Sequence, residues 1–235
     1  MCENILEVKN LTKIYNKKTG VKNISFSVPK GDFHSFIGEN GAGKTTTIKS
    51  IIGSYINFSG DIFINKINNK KANSKNIIGY VPEVAKFPKE IKVYDYLKYF
   101  ALLSDIDPHE INKKIDFLLE KFKISDLKYK KPYSFSSGQK KKVLLIQALI
   151  HDPLLIILDE PSANLDPIAR FELFDLLQEI KKNGTTIFIS SHILSEIDRY
   201  TDSLTLIHEG EIKYSGVKYD NLEKIFYEKI IENNN

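Results

Sequence analysis

Cysteine is nearly absent from this 235-residue chain. Cys2 stands alone, so no internal disulfide can form, which fits a reducing cytoplasm, and a plain exposed thiol at a frayed terminus is expected. Long apolar runs are missing too: none approaches the roughly 20 residues that span a bilayer. The N-terminus lacks the basic-then-apolar pattern of a signal peptide, so a soluble chain is expected, with any membrane role coming through a partner. Neither sign of charge dominates. Lys and Arg number 34 against 30 Asp and Glu, a formal +4, and the two signs are interleaved along most of the chain. The densest basic group is Lys128, Lys130, Lys131 and Lys140–Lys142; it reads as a solvated helix face, and no nucleic-acid partner is expected. Repeats, Gly/Ser linkers and low-complexity stretches are absent apart from the short Asn233–Asn235 end, expected to be disordered.

What is present is a series of short β-rich runs: Ile5–Val8, Ile24–Val28, Phe33–Ile37, Asp61–Asn65, Ile77–Val81, Leu154–Leu158, Thr186–Ser190, Leu204–His208 and Glu211–Tyr214. Leu154–Leu158 and Thr186–Ile189 are apolar without alternation, the pattern of parallel strands covered on both faces. The early runs alternate, are broken by turns such as Pro29-Lys30-Gly31-Asp32, and read as antiparallel. From about 84 to 150 helical spacing takes over. Tyr94–Leu103 is periodic. Asp107-Pro108-His109-Glu110 reads as a helix start, followed by Ile111, Ile115, Leu118, Leu119 and Phe122 on one face. The expected fold class is therefore α/β with a helical block inserted. A terminal helix is expected within Val217–Asn235, from Leu222, Ile225, Phe226 and Ile230.

Gly38-Glu39-Asn40-Gly41-Ala42-Gly43-Lys44-Thr45 matches the P-loop pattern, after one strand and at the start of a helix over Thr45–Ile52. Gly38, Gly41 and Gly43 let backbone N–H groups turn toward phosphate oxygens, and the helix N-terminus adds partial positive charge. Lys44 supplies a full charge to the outer phosphates, and the Thr45 hydroxyl can bind Mg²⁺. Downstream, Leu154–Leu158 ends in Asp159-Glu160-Pro161. Carboxylates at the C-terminal end of a buried parallel strand point into the ligand crevice of such sheets. Asp159 can hold Mg²⁺ through its water shell, and Glu160 is placed as general base on an attacking water. Ser134-Phe135-Ser136-Ser137-Gly138-Gln139 opens a helix to about Ile150 and offers a second anion-binding N-terminus.

The order of these motifs resembles the nucleotide-binding subunits of ATP-binding-cassette (ABC) transporters over essentially residues 4–216. The resemblance implies a P-loop NTPase core, about 1–83 and 151–216, with an antiparallel β subdomain. It also implies a helical subdomain at about 84–150, and residues 217–235 form a C-terminal helix and tail. ATP and Mg²⁺ are the implied cofactors, bound by Gly38, Asn40, Gly41, Ala42, Gly43, Lys44, Thr45 and Thr46. Tyr15 matches the aromatic that stacks on adenine. Ser136, Ser137, Gly138 and Gln139 match the signature that closes on the ATP of another copy. Asn164-Leu165-Asp166 matches the loop that communicates across the dimer, and His192 matches the switch histidine at the γ-phosphate.

Three positions depart from the family pattern. Glu83 follows Pro82 where Gln contacts Mg²⁺ and water; it can still offer an oxygen but loses the amide donor. Glu at that position is associated with separate-chain ATPases of drug and antibiotic exporters. Ser137 adds a hydroxymethyl where a phosphate must approach, and Lys142 replaces an Arg, losing its planar fork. The implied partners are a second copy or a homologous ATPase subunit and an integral membrane permease, placing the chain on the cytoplasmic face of the membrane. A soluble ABC ATPase acting as a regulatory or assembly module without a permease is the alternative.

Overall fold

The computed structural model describes residues 3–16 and 19–232; Cys2 and Asn233–Asn235 lie outside the described residues. Alternating residues at the start of the chain build an antiparallel sheet. Its strand β1 (Asn4–Asn16) pairs with β2 (Thr19–Pro29) on one side and β4 (Ser59–Ile64) on the other, and β5 (Ile67–Asn68) lies at the far edge. Val21, Ile24, Phe26 and Val28 of β2 turn inward. The strand expected to stop at Val8 continues to Asn16. Register shifts between Val8 and Leu11, with Asn10 at φ 52, absorb its turn-like residues as a bulge.

The second sheet carries the site. Strands β3 (Phe33–Ile37), β6 (Ile78–Val81), β7 (Leu155–Leu158), β8 (Thr186–Ser191) and β9 (Ser203–His208) run parallel, with β10 (Glu211–Val217) antiparallel at one edge. Their order is β10-β9-β3-β8-β7-β6. Successive side chains enter different cores. Leu155, Ile157, Phe36 and Phe188 pack on one face against α1 (Lys44–Ile51) and the antiparallel sheet. On the other face, Ile156, Leu158, Phe33, Ile187 and Ile189 join a core with α2 (Val93–Leu103), α3 (Pro108–Lys121), α4 (Ser137–Leu149) and α5 (Pro167–Lys182). Burial on both faces is why Leu155–Leu158 and Ile187–Ile189 are continuous apolar runs.

The local signals for helix termini hold with small differences. Asp107 caps α3 and Pro108 is its first residue, but the Asp107 carboxylate accepts from His109 N rather than pairing with Glu110. Ser136 and Gln139 form a reciprocal capping box on α4. The C-terminal carbonyls of α1 are held by neighbours: Asn69 donates to Ser50 O at 2.8 Å, and Lys75 Nζ to Ile51 O at 3.1 Å. Val217 belongs to β10, and the terminal helix begins later, as α7 (Leu222–Phe226), continuing in a wider turn over Tyr227–Ile231. Leu222, Ile225 and Ile230 are buried there. Among the described residues no helix is long and apolar enough to cross a membrane.

Candidate functional site

The C-terminal ends of β3, β7 and β8 lie side by side, with Ile37 opposite Ser191 and Leu158 opposite Ile189. The segments that leave them converge. After β3 the chain turns through Gly38–Gly43 into α1. A Cβ on Gly38 would lie 2.4 Å from the Ile207 carbonyl oxygen, and one on Gly43, at φ 113, 2.5 Å from Val21 Cγ1. Only glycine lets the loop pass there. Gly43 is the N-cap of α1 and brings no side-chain cap, so the first N–H groups of the helix have no side-chain partner at that position.

Lys44 is buried, and its ammonium donates to Gly38 O at 2.7 Å and Glu39 O at 3.2 Å. It also lies 3.1 Å from Glu160 Oε1. That oxygen is buried yet makes no well-directed hydrogen bond, whereas Oε2 is 3.0 Å from His192 Nδ1. Glu160 thus stands between a cation and an imidazole with a lone pair still to satisfy. Its backbone is in the left-handed region at φ 43, a conformation held by its surroundings rather than preferred by Glu. The holding group is Ser190, whose hydroxyl accepts from Glu160 N at 2.9 Å and donates to Asp159 Oδ1 at 2.9 Å. Burial pushes the Asp159 carboxyl up, and the Ser190 and Thr45 hydroxyls pull it back.

A cleft of about 260 Å³ lies above these groups. Asn40, Gly41, Gly43, Lys44, Thr45 and Thr46 line one side, and Glu83, Glu160, Ala163 and His192 the other. The loop's glycine-only backbone, the buried ammonium and the uncapped helix start fit a polyphosphate. The Thr45 hydroxyl and the Asp159 carboxylate lie within hydrogen-bonding reach of each other, two hard oxygen donors that fit a hydrated divalent cation.

The remaining expected residues do not themselves line the cleft. Gly38 lies at its base beneath Lys44, and Ala42 is buried under the loop. Tyr15 stands at the margin, 48% exposed, its hydroxyl 3.4 Å from Thr46 Oγ1 and its ring edge-on to Tyr55. Asp166 serves as the N-cap of α5, accepting from Ala169 N at 2.9 Å. Ser136 and Ser137 are exposed at the start of α4, with Gly138 and Gln139 half-buried, and none of the four lines the cleft of its own chain.

One expectation is overturned. Lys140–Lys142 are not one solvated face: Lys141 is 4% exposed and donates to the carbonyls of Pro82 and Glu83, both at 3.1 Å. Burial lowers its pKa to about 8, with Glu83 and Asp159 pulling it upward. Its neighbours in the basic group are balanced, Lys142 by Glu172, Lys128 by Asp116, Lys130 by Asp126 and Lys131 by Glu90. Ser190 is not singled out from the sequence, although it ends the β-rich run Thr186–Ser190 two residues before His192.

Comparison with known proteins agrees with this geometry. The family model described as ABC transporter matches residues 21–163. An ABC transporter ATP-binding protein of Mycoplasma pneumoniae is 50% identical over 224 residues, covering 94% of this chain and 68% of that protein. The lantibiotic transport ATP-binding protein SrtF of Streptococcus pyogenes is 34% identical over 231 residues, 97% of this chain and 98% of its own length. A solved ATP-binding subunit of an ABC transporter superposes with a TM-score of 0.83 at 32% identity, covering 95% of this chain and 92% of that one. The chain belongs to the ABC transporter family, as an ATP-binding subunit with the fold of an ATPase.

Proposed function

We propose that this chain is the motor of a membrane exporter. It binds ATP with Mg²⁺, pairs head to tail with a second copy or a homologous ATPase subunit, and drives a separate integral permease from the cytoplasmic face. The observation that carries the reading is the chain of contacts Lys44–Glu160–His192 along the floor of the cleft. Phosphoryl transfer asks little covalent chemistry of a protein; positioning and charge stabilisation dominate. The backbone of Gly38–Thr45 and the ammonium of Lys44 hold the phosphates, and Thr46 and Asn40 lie beside them. Entry of a phosphate competes with Glu160 for Lys44. The released carboxylate then takes a proton from water, with His192 orienting it through Nδ1. Thr45 and Asp159, with Glu83 at the rim, would hold Mg²⁺, whose charge offsets that on the phosphoryl oxygens. Tyr15 carries the adenine ring on its exposed face.

The signature residues Ser136–Gln139 open a well-capped helix and do not line their own cleft, which suits closure on a partner's nucleotide. Asp166 caps the next helix, whose Ala169 packs beside Gly138. The helical block 84–150 and the Glu83 loop are the surface we assign to the permease, and Val84, Tyr99 and Leu103 expose apolar side chains there. Export rather than uptake is supported by the carboxylate at 83 and by likeness to a lantibiotic transport ATPase. Light scattering on Glu160→Gln tests the pairing: ATP should double the mass from 26.9 kDa, and adding Ser136→Glu should abolish the doubling. Recovery of the wild-type chain solely in the soluble fraction of its native cells would argue against a permease.

A further inference from the structure

The three-lysine run at the start of α4 divides by helical position. Lys141 shares its face with Leu144, Leu145 and Ala148, all buried, and so carries an ammonium into an apolar face. A buried lysine normally finds a carboxylate. This one holds main chain instead, the carbonyls of Pro82 and Glu83, at 3.1 Å each. The segment it grips leaves β6 next to Asp159, whose N–H donates to Val81 O at 3.0 Å, and then presents Glu83 to the phosphate cleft. No helix or strand supports residues 82–92, so these two hydrogen bonds are main-chain anchors where the loop most needs them.

We propose that Lys141 is a positioning residue for the phosphate cleft: it ties the Glu83 loop to the helix that begins at Ser136–Gln139 and supplies the positive charge that lets a carboxylate stand at position 83. This rests on Glu83 belonging to the nucleotide site. Two acids, Glu83 and Asp159, approach a place where phosphates bring more negative charge, and Lys44 is the cation already engaged inside the cleft. Lys141 adds a second cation behind the loop, where it neutralises without competing for phosphate. The same bonds make a rigid link. Movement of the α4 N-terminus, where a partner's nucleotide would press, is passed through Lys141 to Glu83.

Lys141→Met keeps length and burial but removes charge and donors. In the full chain without nucleotide, the Asp159 amide, which donates to Val81 O immediately before the anchored segment, should exchange ~10-fold faster, as expected when two hydrogen bonds that hold this end of β6 are lost. The Mg²⁺ concentration for half-maximal ATPase should rise at least ~3-fold, while Lys141→Arg stays within ~3-fold of wild type on both measures. The double variant Lys141→Gln/Glu83→Gln exchanges a charged pair for neutral amides. It should be no worse than ~3-fold below Glu83→Gln alone, although Lys141→Gln by itself loses ~10-fold in kcat. Unchanged exchange at Asp159 in Lys141→Met overturns the tether, and losses that simply multiply in the double variant overturn the charge balance. Unchanged Mg²⁺ dependence in Glu83→Gln alone would instead remove Glu83 from the site, a result read separately from the nucleotide-free exchange.

Discussion

Replacing Ser190 by Ala deletes one oxygen, yet that atom serves two functional neighbours. It is fully buried on β8, accepts from Glu160 N and donates to Asp159 Oδ1, each at 2.9 Å. Its loss strands a buried N–H and takes a donor from a buried carboxylate, each costing about 1–3 kcal/mol, so ~2–5 kcal/mol together. For a domain of this size that lowers Tm by roughly 5–15 °C. Activity should suffer separately. The Ser190 bond holds Glu160 at φ 43, a conformation costing on the order of 1–3 kcal/mol, and without it the carboxylate drifts from Lys44 and His192. We expect kcat to fall ~10-fold or more below the melting range, with ATP affinity within ~3-fold because the glycine loop is untouched. Calorimetry, steady-state ATPase and nucleotide titration measure the three quantities. A Tm within about 2 °C of wild type together with an unchanged kcat would refute the assignment of Ser190.

Acid should destabilise the fold through His34, which is fully buried between Ser203 and Thr205 and depressed to about 3 by burial. Because the folded value lies below the unfolded one, the unfolded chain takes the proton first, and stability falls as pH drops through 6.5. The loss between pH 7 and pH 5 is about 2 kcal/mol by urea unfolding, and His34→Gln should lack that increment. Equal pH dependence in the two proteins would contradict it. Gly43→Ala drives a Cβ into Val21 at a left-handed φ of 113, so ATP affinity should drop at least ~10-fold in equilibrium binding. Binding as tight as wild type would show that the loop does not need its glycine there.

Much of the fold can be read from periodicity, and the exceptions have physical causes. Phe33–Ile37 is a strand with the expected ends because Asp32 and Gly38 bound a five-residue segment whose Phe33, Phe36 and Ile37 the two cores bury. β1 outruns its expectation because Asn10 is accommodated in a bulge, which no local turn signal reveals. β5 is two residues long, too short for alternation to register. At the cleft, the glycines, Lys44, Thr45 and Glu160 can be placed from spacing because each follows directly on the apolar strand that positions it. Ser190 reaches Asp159 and Glu160 only because β8 lies beside β7, a pairing across 30 residues of sequence. Lys141 was hidden by its neighbours. Three lysines in a row suggest a surface, and only the burial of Leu144, Leu145 and Ala148 along the helix shows that the middle one faces inward.

In the proposed function, Glu160 acts on ATP held by Gly38–Thr45. Single-turnover cleavage and equilibrium binding of ATP by Glu160→Gln test it together. The side chain keeps its size, and the amide cannot take a proton from water. ATP affinity should stay within ~3-fold of wild type while cleavage slows at least ~100-fold. Wild-type cleavage in that variant would contradict it.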